Sequence, residues 1–164
     1  METTVAALRD IRRLLGNSEL ERFLSQLAQW HHNEWLHLNP GATLASRLER
    51  YRVSIETELL PEIFVAYNGT TLSGSVTLAK DDMDTRACLT PWLASLYVDP
   101  DSRGQGIASQ LIQHVVSYAK ANSYKNIYLF TEDQTDFYQH RGWRFIESVE
   151  YRNAEVDLMY QNLK

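Results

Sequence analysis

The chain carries a single cysteine, Cys88, among its 164 residues. One thiol cannot form an internal disulfide, so packing and hydrogen bonds must hold the fold together. No apolar run approaches the length of a membrane span, and the first residues lack the basic region and apolar core of a secretory signal peptide. These absences predict a cytoplasmic protein that does not bind a membrane.

Positive charge is also scarce. The 16 lysines and arginines are outnumbered by 21 aspartates and glutamates, which gives a formal net charge of −5 at pH 7. This balance argues against a nucleic-acid partner and favours a cationic substrate. The hydrophobic fraction of 44% is ordinary for a globular protein, and the length suits one sizeable core. We therefore expect a single domain over residues 1–164.

Two kinds of catalytic site are disfavoured by what is missing. Residues 30–37 concentrate two tryptophans, three histidines and a glutamate, but they lack the His-Glu-x-x-His spacing that places two histidines one helical turn apart. We therefore predict no metal site. Cys88 has no histidine or asparagine pattern that would activate it as a nucleophile.

Hydrophobic periodicity outlines the first third of the chain. Residues 3–11 fit either a strand or a short helix. Ser18 and Glu21 stand at capping-box spacing and predict a helix that runs to about Leu36. Thr43 can cap a second helix, from about residue 44 to residue 59. Its expected apolar stripe is Leu44, Leu48, Tyr51 and Ile55, and its expected solvent side is Arg47, Glu49, Arg50 and Arg52.

Apolar runs then predict strands. A hairpin joins residues 64–67 to 72–79 through Asn68-Gly69, a type I′ turn signal, with Gly74 as a bulge. Strands at 92–98 and 127–130 are parallel because a helix joins them. A short helix at 136–140 precedes closing strands at 143–151 and 156–160. This order predicts an α/β fold with one mixed, twisted sheet and helices on both faces.

The most informative stretch covers residues 92–121. An apolar strand, the turn Asp99-Pro100, a loop with Gly104 and Gly106, and an amphipathic helix follow one another. Free N–H groups and the helix dipole make such a helix start a site for an anion, and glycine lets the backbone approach it closely. The loop lacks the Lys-Ser/Thr of a Walker A sequence and matches only half of the dinucleotide-binding fingerprint. We therefore predict a pyrophosphate cradle of another kind.

Two motifs, Arg103-x-x-Gly106-x-Ala108 and Phe137-Tyr138-x-x-x-Gly142-Trp143, resemble those of the GNAT acetyltransferase superfamily. Arg103-x-x-Gly106-x-Ala108 fits the acetyl-CoA loop of that family at every specified place. Phe137-Tyr138-x-x-x-Gly142-Trp143 is similar to the family's Tyr-x-x-x-Gly-Phe motif, with tryptophan in place of phenylalanine. The two motifs stand in the family's order, with a helix and a strand between them. The resemblance covers the chain from about residue 18 to its end.

The resemblance implies a GNAT-like sheet of six or seven strands with a splayed central parallel pair. It also implies an N-acetyltransferase that uses acetyl-CoA as co-substrate and transfers the acetyl group to a primary amine of a small molecule, by direct attack in a ternary complex. The implied cofactor-binding residues are Leu96, Tyr97, Val98, Arg103, Gly104, Gln105, Gly106, Ile107, Ala108, Ser109 and Thr131. Thr131 stands where many members have an asparagine. Tyr138 is the implied catalytic residue, the general acid for the departing thiolate.

The general base and the acceptor site are less defined. The strand at 92–98 offers only Ser95 and Tyr97, where many family members carry glutamate or histidine. Glu34, His31 or Asp84 can act through water, or the amine can be acidic enough to need little help. The charged loop 80–86 is either a solvated hairpin loop or an acidic rim that suits an amine. The candidate substrate residues are His31, Glu34, Asp82, Asp84 and Trp92.

Two other functions stay open at this point. One is a protein acetyltransferase that acts on lysines or N-termini, and the other is a CoA-binding regulatory module that catalyses nothing. A tyrosine beside the sulfur argues against the second, because a pure binder needs no acid there. We expect a small-molecule amine as the partner, and a homodimer stays open.

Overall fold

A computed structural model describes residues 2–58 and 60–164 of the chain. Within those residues, seven strands form one sheet, accompanied by five α-helices, none long and apolar enough to cross a membrane. The strands are β1 (Thr4–Ala7), β2 (Glu62–Asn68), β3 (Thr71–Ala79), β4 (Trp92–Val98), β5 (Asn126–Thr131), β6 (Arg144–Tyr151) and β7 (Ala154–Asn162). The helices are α1 (Ile11–Leu15), α2 (Asn17–Trp35), α3 (Leu44–Ile55), α4 (Ile107–Ala121) and α5 (Thr135–Gln139).

The sheet is mixed, with strand order β1-β2-β3-β4-β5-β7-β6. β4 and β5 run parallel, and every other neighbouring pair is antiparallel. The helix α4 connects β4 to β5, as a parallel connection requires. The prediction of one mixed α/β sheet with a central parallel pair is therefore confirmed.

Helices cover both faces because the central strands are apolar on both. In β2, Phe64 and Ala66 join the core that α4 covers, whereas Ile63 and Val65 join the core that α2 and α3 cover. This alternation is the two-residue period of a strand. It explains why β2 reads as a continuous apolar run in the sequence.

The two parallel strands pair only at their start. The ladder between β4 and β5 consists of one pair, Trp92 with Tyr128. Further along β4, Ser95 adopts a positive φ of 54°, and the pairing with β3 shifts register between Ser75 and Thr77. A bulge of this kind bends the strand, and here it carries the end of β4 away from β5. The predicted splay is confirmed, and the cleft it leaves holds the candidate site.

Gly74 on β3 makes room for this bend. A Cβ at Gly74 would lie 2.9 Å from the carbonyl oxygen of Tyr97 and 3.1 Å from a methyl group of Leu111. The close approach of β4 and α4 to β3 therefore requires glycine. The predicted irregularity is confirmed next to this residue, because the pairing of β2 and β3 shifts between Ala66 and Tyr67.

The start of α2 differs from the prediction. Gly16, with a φ of 101°, is the N-cap, and no side chain caps the helix. The predicted capping box of Ser18 and Glu21 is wrong, because the N-cap lies two residues earlier, at Gly16, and the helix begins at Asn17. Glu21 instead accepts two hydrogen bonds from Arg52, at 2.9 and 2.8 Å. The segment before α1 contains both a strand and helical turns, so both expectations for it hold in part.

The helix α3 confirms one expectation and corrects another. Thr43 caps it in a capping box with Ser46, as predicted from the threonine, but the helix ends at Ile55. Its buried face is Arg47, Tyr51 and Ser54, and Leu44 is exposed. Arg47 was expected in solvent, and that prediction is wrong, because this side of α3 faces a polar cavity.

The loop of the hairpin between β2 and β3 lies one residue later than predicted. Asn68 pairs with Thr71, so the loop is Gly69-Thr70, and Gly69 has a φ of 59°. A glycine at the first loop position with positive φ is typical of a type II′ turn, whereas Asn68-Gly69 predicted type I′.

Candidate active site

Two cavities open at the splay and meet at its centre. The inner chamber has a volume of about 310 Å³. It is lined by the end of α2 and the turn that follows it, by α3, and by parts of β4, β5 and β6. The lining residues include Leu38, Asn39, Arg47, Arg50, Asp82, residues 93–96 and 129–134, Tyr151 and Arg152. The outer groove, of about 560 Å³, is lined by residues 96–98, 102–104 and 106–109 and by Phe137, Tyr138 and Arg141. Five residues line both cavities: Glu34, Leu96, Asp133, Gln134 and Tyr138.

The outer groove presents backbone at the start of α4. Gly106 is the N-cap in the left-handed conformation, with a φ of 77°, and Gly104 has a φ of 78°. No side chain caps the helix, so its first N–H groups are free to bind an anion. The lining includes nine of the predicted cofactor residues, namely Leu96, Tyr97, Val98, Arg103, Gly104, Gly106, Ile107, Ala108 and Ser109.

Two arginines bring positive charge to the outer groove. The Nε of Arg103 donates a 2.9 Å hydrogen bond to the carbonyl oxygen of Val98. Arg141 stacks its guanidinium 3.6 Å from the ring centre of Phe137 and donates to Ser109 Oγ at 3.1 Å. Sequence reasoning missed Arg141, although it stands inside the motif that contains Tyr138. A cation within a tyrosine motif next to an anion cradle is the signal that could have found it.

Tyr138 stands where the two cavities meet. It lies on α5 with 7% of its surface exposed, held edge-on by Phe137 and Trp143 at ring distances of 5.2 and 5.9 Å. Burial raises the pKa of its phenol, against the opposing charge of Arg141. The phenol is therefore protonated at neutral pH, and a protonated hydroxyl at the junction can donate a proton to either cavity.

The inner chamber is lined by charged side chains. Asp82 is partly buried, and that burial raises its pKa to about 7, against the opposing charge of Arg152. Arg152 donates to Asp84 at 3.0 Å and to the side-chain oxygen of Asn39 at 2.8 Å. His37 and Glu132, which also line the chamber, lie 3.0 Å apart. The chamber can therefore bind an ionised ligand, and Asp82 can exchange a proton near neutral pH.

A buried hydrogen-bonded chain supports the α3 side of the inner chamber. The two ring nitrogens of His31, which is 2% exposed, lie 2.6 Å from Tyr51 Oη and 2.9 Å from Ser75 Oγ. Burial lowers the pKa of His31 to about 3, and the charges of Arg47 and Arg50 lower it further. The histidine is thus neutral and connects α2, α3 and β3.

Several predicted residues lie outside the cavity they were assigned to. His31 and Trp92 are buried in the protein and line neither cavity. Asp84 is held by Arg152 at the rim. Thr131 lines the inner chamber, and its Oγ1 accepts a hydrogen bond from the backbone of Gln134. Gln105 is absent from the lining of the outer groove. Over the described residues no group of three or more His, Cys, Asp or Glu side chains could hold a metal ion.

The pattern of the acetyltransferase (GNAT) domain matches residues 61–145, which is more than half of the chain. The chain belongs to the GNAT acetyltransferase family. The prediction of an N-acetyltransferase enzyme of this family is confirmed at this level. The match includes Tyr138 and all of the outer groove except Glu34, and it leaves out α2 and α3. A comparison with curated proteins gives no match.

Solved acetyltransferase structures share the GNAT fold of this chain. An N-acetyltransferase from Staphylococcus aureus Mu50 has a TM-score of 0.72 at 17% identity and covers 100% of both chains. An aminoglycoside 6′-N-acetyltransferase complexed with coenzyme A has a TM-score of 0.71 at 14% identity, covering 100% of this chain and 98% of that one. An acetyltransferase from Salmonella typhimurium with its cofactor acetyl-CoA has a TM-score of 0.66 at 13% identity, covering 100% of this chain and 95% of that one.

Proposed function

We propose that this GNAT enzyme, acting as a single domain over residues 1–164, transfers the acetyl group of acetyl-CoA to a primary amine of a small molecule. The observation that carries the proposal is the junction of the two cavities at Tyr138. A thioester that enters from the outer groove and an amine that enters from the inner chamber would meet beside its phenol. Two of the similar solved structures contain acetyl-CoA or coenzyme A, which supports this choice of co-substrate.

The outer groove suits a nucleotide thioester. The free N–H groups at Ile107, Ala108 and Ser109 would bind the pyrophosphate, with Arg103 and Arg141 supplying charge. The pantetheine arm would run along Leu96, Tyr97 and Val98, where β4 has left β5 and its backbone is available for hydrogen bonds. Such pairing with a strand would aim the acetyl carbonyl at the junction and polarise it through a backbone N–H.

The chemistry needs two proton movements. The free amine attacks the thioester carbon, and the tetrahedral intermediate expels the CoA thiolate, which takes its proton from Tyr138. The amine proton leaves through water toward a carboxylate of the inner chamber. Glu34 lies at the junction and Asp82 has a pKa of about 7, so both are candidates, whereas both nitrogens of His31 are engaged.

Thiol release from acetyl-CoA in the presence of a panel of primary amines tests the proposal. We expect release to depend on both the enzyme and an amine, with the acetylated amine identified by mass spectrometry. An upward shift of the melting temperature with acetyl-CoA, but no thiol release with any amine or peptide, would instead establish a binding module. A chamber of about 310 Å³ favours small amines over protein lysines, so acetylation of peptides alone would also contradict the proposal.

A further inference from the structure

Arg47 is a buried cation with two unpaired donor nitrogens. Its residue surface is only 4% exposed, yet its Nε and Nη2 have no hydrogen-bond partner within residues 2–58 and 60–164. A buried guanidinium that keeps its charge without acceptors is destabilising, because water's hydrogen bonds are lost and not replaced. Arg9, which is also partly buried, is handled differently, because it pairs with Glu62 and donates to the carbonyl oxygen of Ser54.

The partners that Arg47 does have are neutral. One turn further along α3, Tyr51 is hydrogen-bonded with Arg47 and with His31, and burial keeps both Tyr51 and His31 uncharged at neutral pH. No ion pair to Arg47 or to Arg50 is formed among the described side chains, whereas Arg152 across the chamber is paired with Asp84. Arg47 and Arg50 therefore bring two uncompensated positive charges to one wall of the inner chamber.

Four carboxylates line the same chamber: Asp82, Glu132 and, at the junction with the outer groove, Glu34 and Asp133. Glu34 and Asp133 line both cavities at the junction, where the reacting amine must lie. An ammonium group is attracted to those carboxylates before it loses its proton, and an oxyanion is attracted to the two arginines. The planar fork of an arginine matches a carboxylate in particular, with two parallel N–H···O bonds. The two ends of the chamber thus suit the two ends of a zwitterion.

We propose that the acceptor amine carries a carboxylate, and that Arg47 binds this group in the inner chamber with help from Arg50. The proposal rests on the acetyl transfer proposed above and specifies its acceptor. It also refines the expectation of a simply cationic substrate, since Glu34 and Asp133 provide for only one end of the molecule. Arg47 is then a specificity-determining residue that completes its hydrogen bonds only when the substrate is bound.

Matched substrate pairs test the proposal directly. The panel compares each common amino acid with its carboxamide, and 4-aminobutyrate with butylamine, by thiol release from acetyl-CoA. We expect the carboxylate member to have a kcat/KM that is about 10- to 100-fold higher for the preferred pair, the range of a charge-assisted bidentate contact. The amine of an α-amino acid amide is less basic than that of the acid. A preference for the carboxylate therefore cannot come from a larger share of free amine.

Variants of α3 assign the preference to Arg47. Arg47→Met should raise KM for the carboxylate substrate about tenfold or more and leave the carboxamide within about threefold, whereas Arg47→Lys keeps the charge and should fall between. Arg50→Gln changes an exposed side chain, so it should fold and should weaken the same preference by a few-fold. Arg52→Met is the control on the same helix, because Arg52 is paired with Glu21 and lines neither cavity.

The outcomes separate this inference from the function on which it rests. Equal or better turnover of the uncharged partners would overturn the carboxylate proposal and leave acetyl transfer intact. A carboxylate preference that survives in Arg47→Met, Arg47→Lys and Arg50→Gln would overturn the assignment to this wall. Absence of thiol release with every amine would overturn the proposed function and this inference together. An acetyl-CoA melting shift retained by each variant shows that it is folded.

Discussion

The outer groove and the inner chamber meet at Tyr138, but the chain builds them in different ways. Apart from Glu34, the outer groove takes its lining from two stretches, residues 96–109 and 133–141. The inner chamber takes its lining from seven separate stretches of the chain, as far apart as Glu34 and Arg152. The groove is formed mainly by backbone at a helix start, and the chamber is formed by charged side chains.

This difference indicates which part of the function the family fixes and which part the individual chain sets. The family match covers residues 61–145, so it contains nearly all of the outer groove. It leaves out Glu34, Arg47, Arg50 and Arg152, which are chamber residues. A backbone cradle recognises the same cofactor in any sequence that keeps the turn, whereas a side-chain chamber changes with each substitution.

The largest effect should come from breaking the backbone cradle. Gly106→Val places a β-branched side chain at a φ of 77°, a conformation that such residues essentially avoid, and directs new bulk into the outer groove. We expect the acetyl-CoA melting shift to vanish and kcat/KM for acetyl-CoA to fall at least about 100-fold, equivalent to about 2.7 kcal/mol.

Gly41→Val is the matched control. Gly41 has open space around its Cβ position and lines neither cavity. The same substitution there should keep the cofactor shift and the activity. A normal acetyl-CoA shift in Gly106→Val would mean that the cofactor does not use the start of α4.

The sequence predicts the outer groove well because its signals are contiguous. Strand, glycine turn and helix follow one another in residues 92–121, and Tyr138 lies within a recognisable motif. The splay and the parallel pair follow from the same stretch. Where two local signals competed, at Gly16 and Ser18, the positive φ available to glycine set the start of α2, and the capping box did not form.

The inner chamber could be predicted only in outline. Its supporting chain joins His31 to Tyr51, 20 residues away, and to Ser75, 44 residues away, and no local pattern specifies such contacts. Arg47 stands among charged neighbours on a helix, so its spacing indicates a solvent-facing residue, and only packing of α3 over the chamber buries it. The sequence of the acidic loop makes Asp82 and Asp84 equal candidates for the acceptor site, yet only Asp82 lines the chamber.

The second largest effect should come from the junction itself. Tyr138→Phe keeps the ring between Phe137 and Trp143 and removes only the hydroxyl. We expect kcat to fall by about 10- to 100-fold, at the low end for a positioned acid because a CoA thiolate is already a good leaving group. Binding of acetyl-CoA, measured by its melting shift, should change little.

Tyr118→Phe serves as the control for this loss. Tyr118 lies on α4 against Phe64 and lines neither cavity, so its hydroxyl should not matter for kcat. Single-turnover measurements ensure that chemistry limits the rate. A wild-type rate in Tyr138→Phe would show that the phenol only packs, and the general acid would have to be sought elsewhere.

A smaller effect is expected when the chamber loses the partly buried carboxylate of Asp82. The pKa of Asp82 rises from 3.8 to about 7 on folding, so the folded state resists ionisation of this group. Its contribution to stability is intact below about pH 4 and is lost as the pH rises through 7. Asp82→Asn removes this loss, so it should gain roughly 1 to 3 kcal/mol of stability relative to the wild type between pH 4 and pH 8.

Thermal melts from pH 4 to pH 8 measure this gain. Asp84→Asn is the control in the same loop, because it removes an exposed carboxylate that pairs with Arg152 and should gain no stability at high pH. A constant difference between Asp82→Asn and the wild type at every pH would contradict the buried-carboxylate argument.

The smallest effect should come from Arg141, one of the two arginines that line the outer groove. Arg141 is exposed, and its guanidinium already bonds to Ser109 Oγ and to the carbonyl oxygen of Phe137. Arg141→Met should therefore raise KM for acetyl-CoA only about 3- to 10-fold, since a solvated cation at a phosphate contributes about 0.5 to 1.5 kcal/mol. The effect should shrink further as salt is added, because salt screens exposed charges.

Two further variants separate charge from stacking at this position. Arg141→Lys keeps the cation and loses the flat contact with the Phe137 ring, so it should recover most of the wild-type KM if charge is what the cofactor meets. Arg144→Met removes a neighbouring arginine that lines neither cavity and should leave KM unchanged. A KM increase in Arg141→Met as large as the loss in Gly106→Val would contradict the comparison, because the cofactor would then depend on a side chain as much as on the backbone.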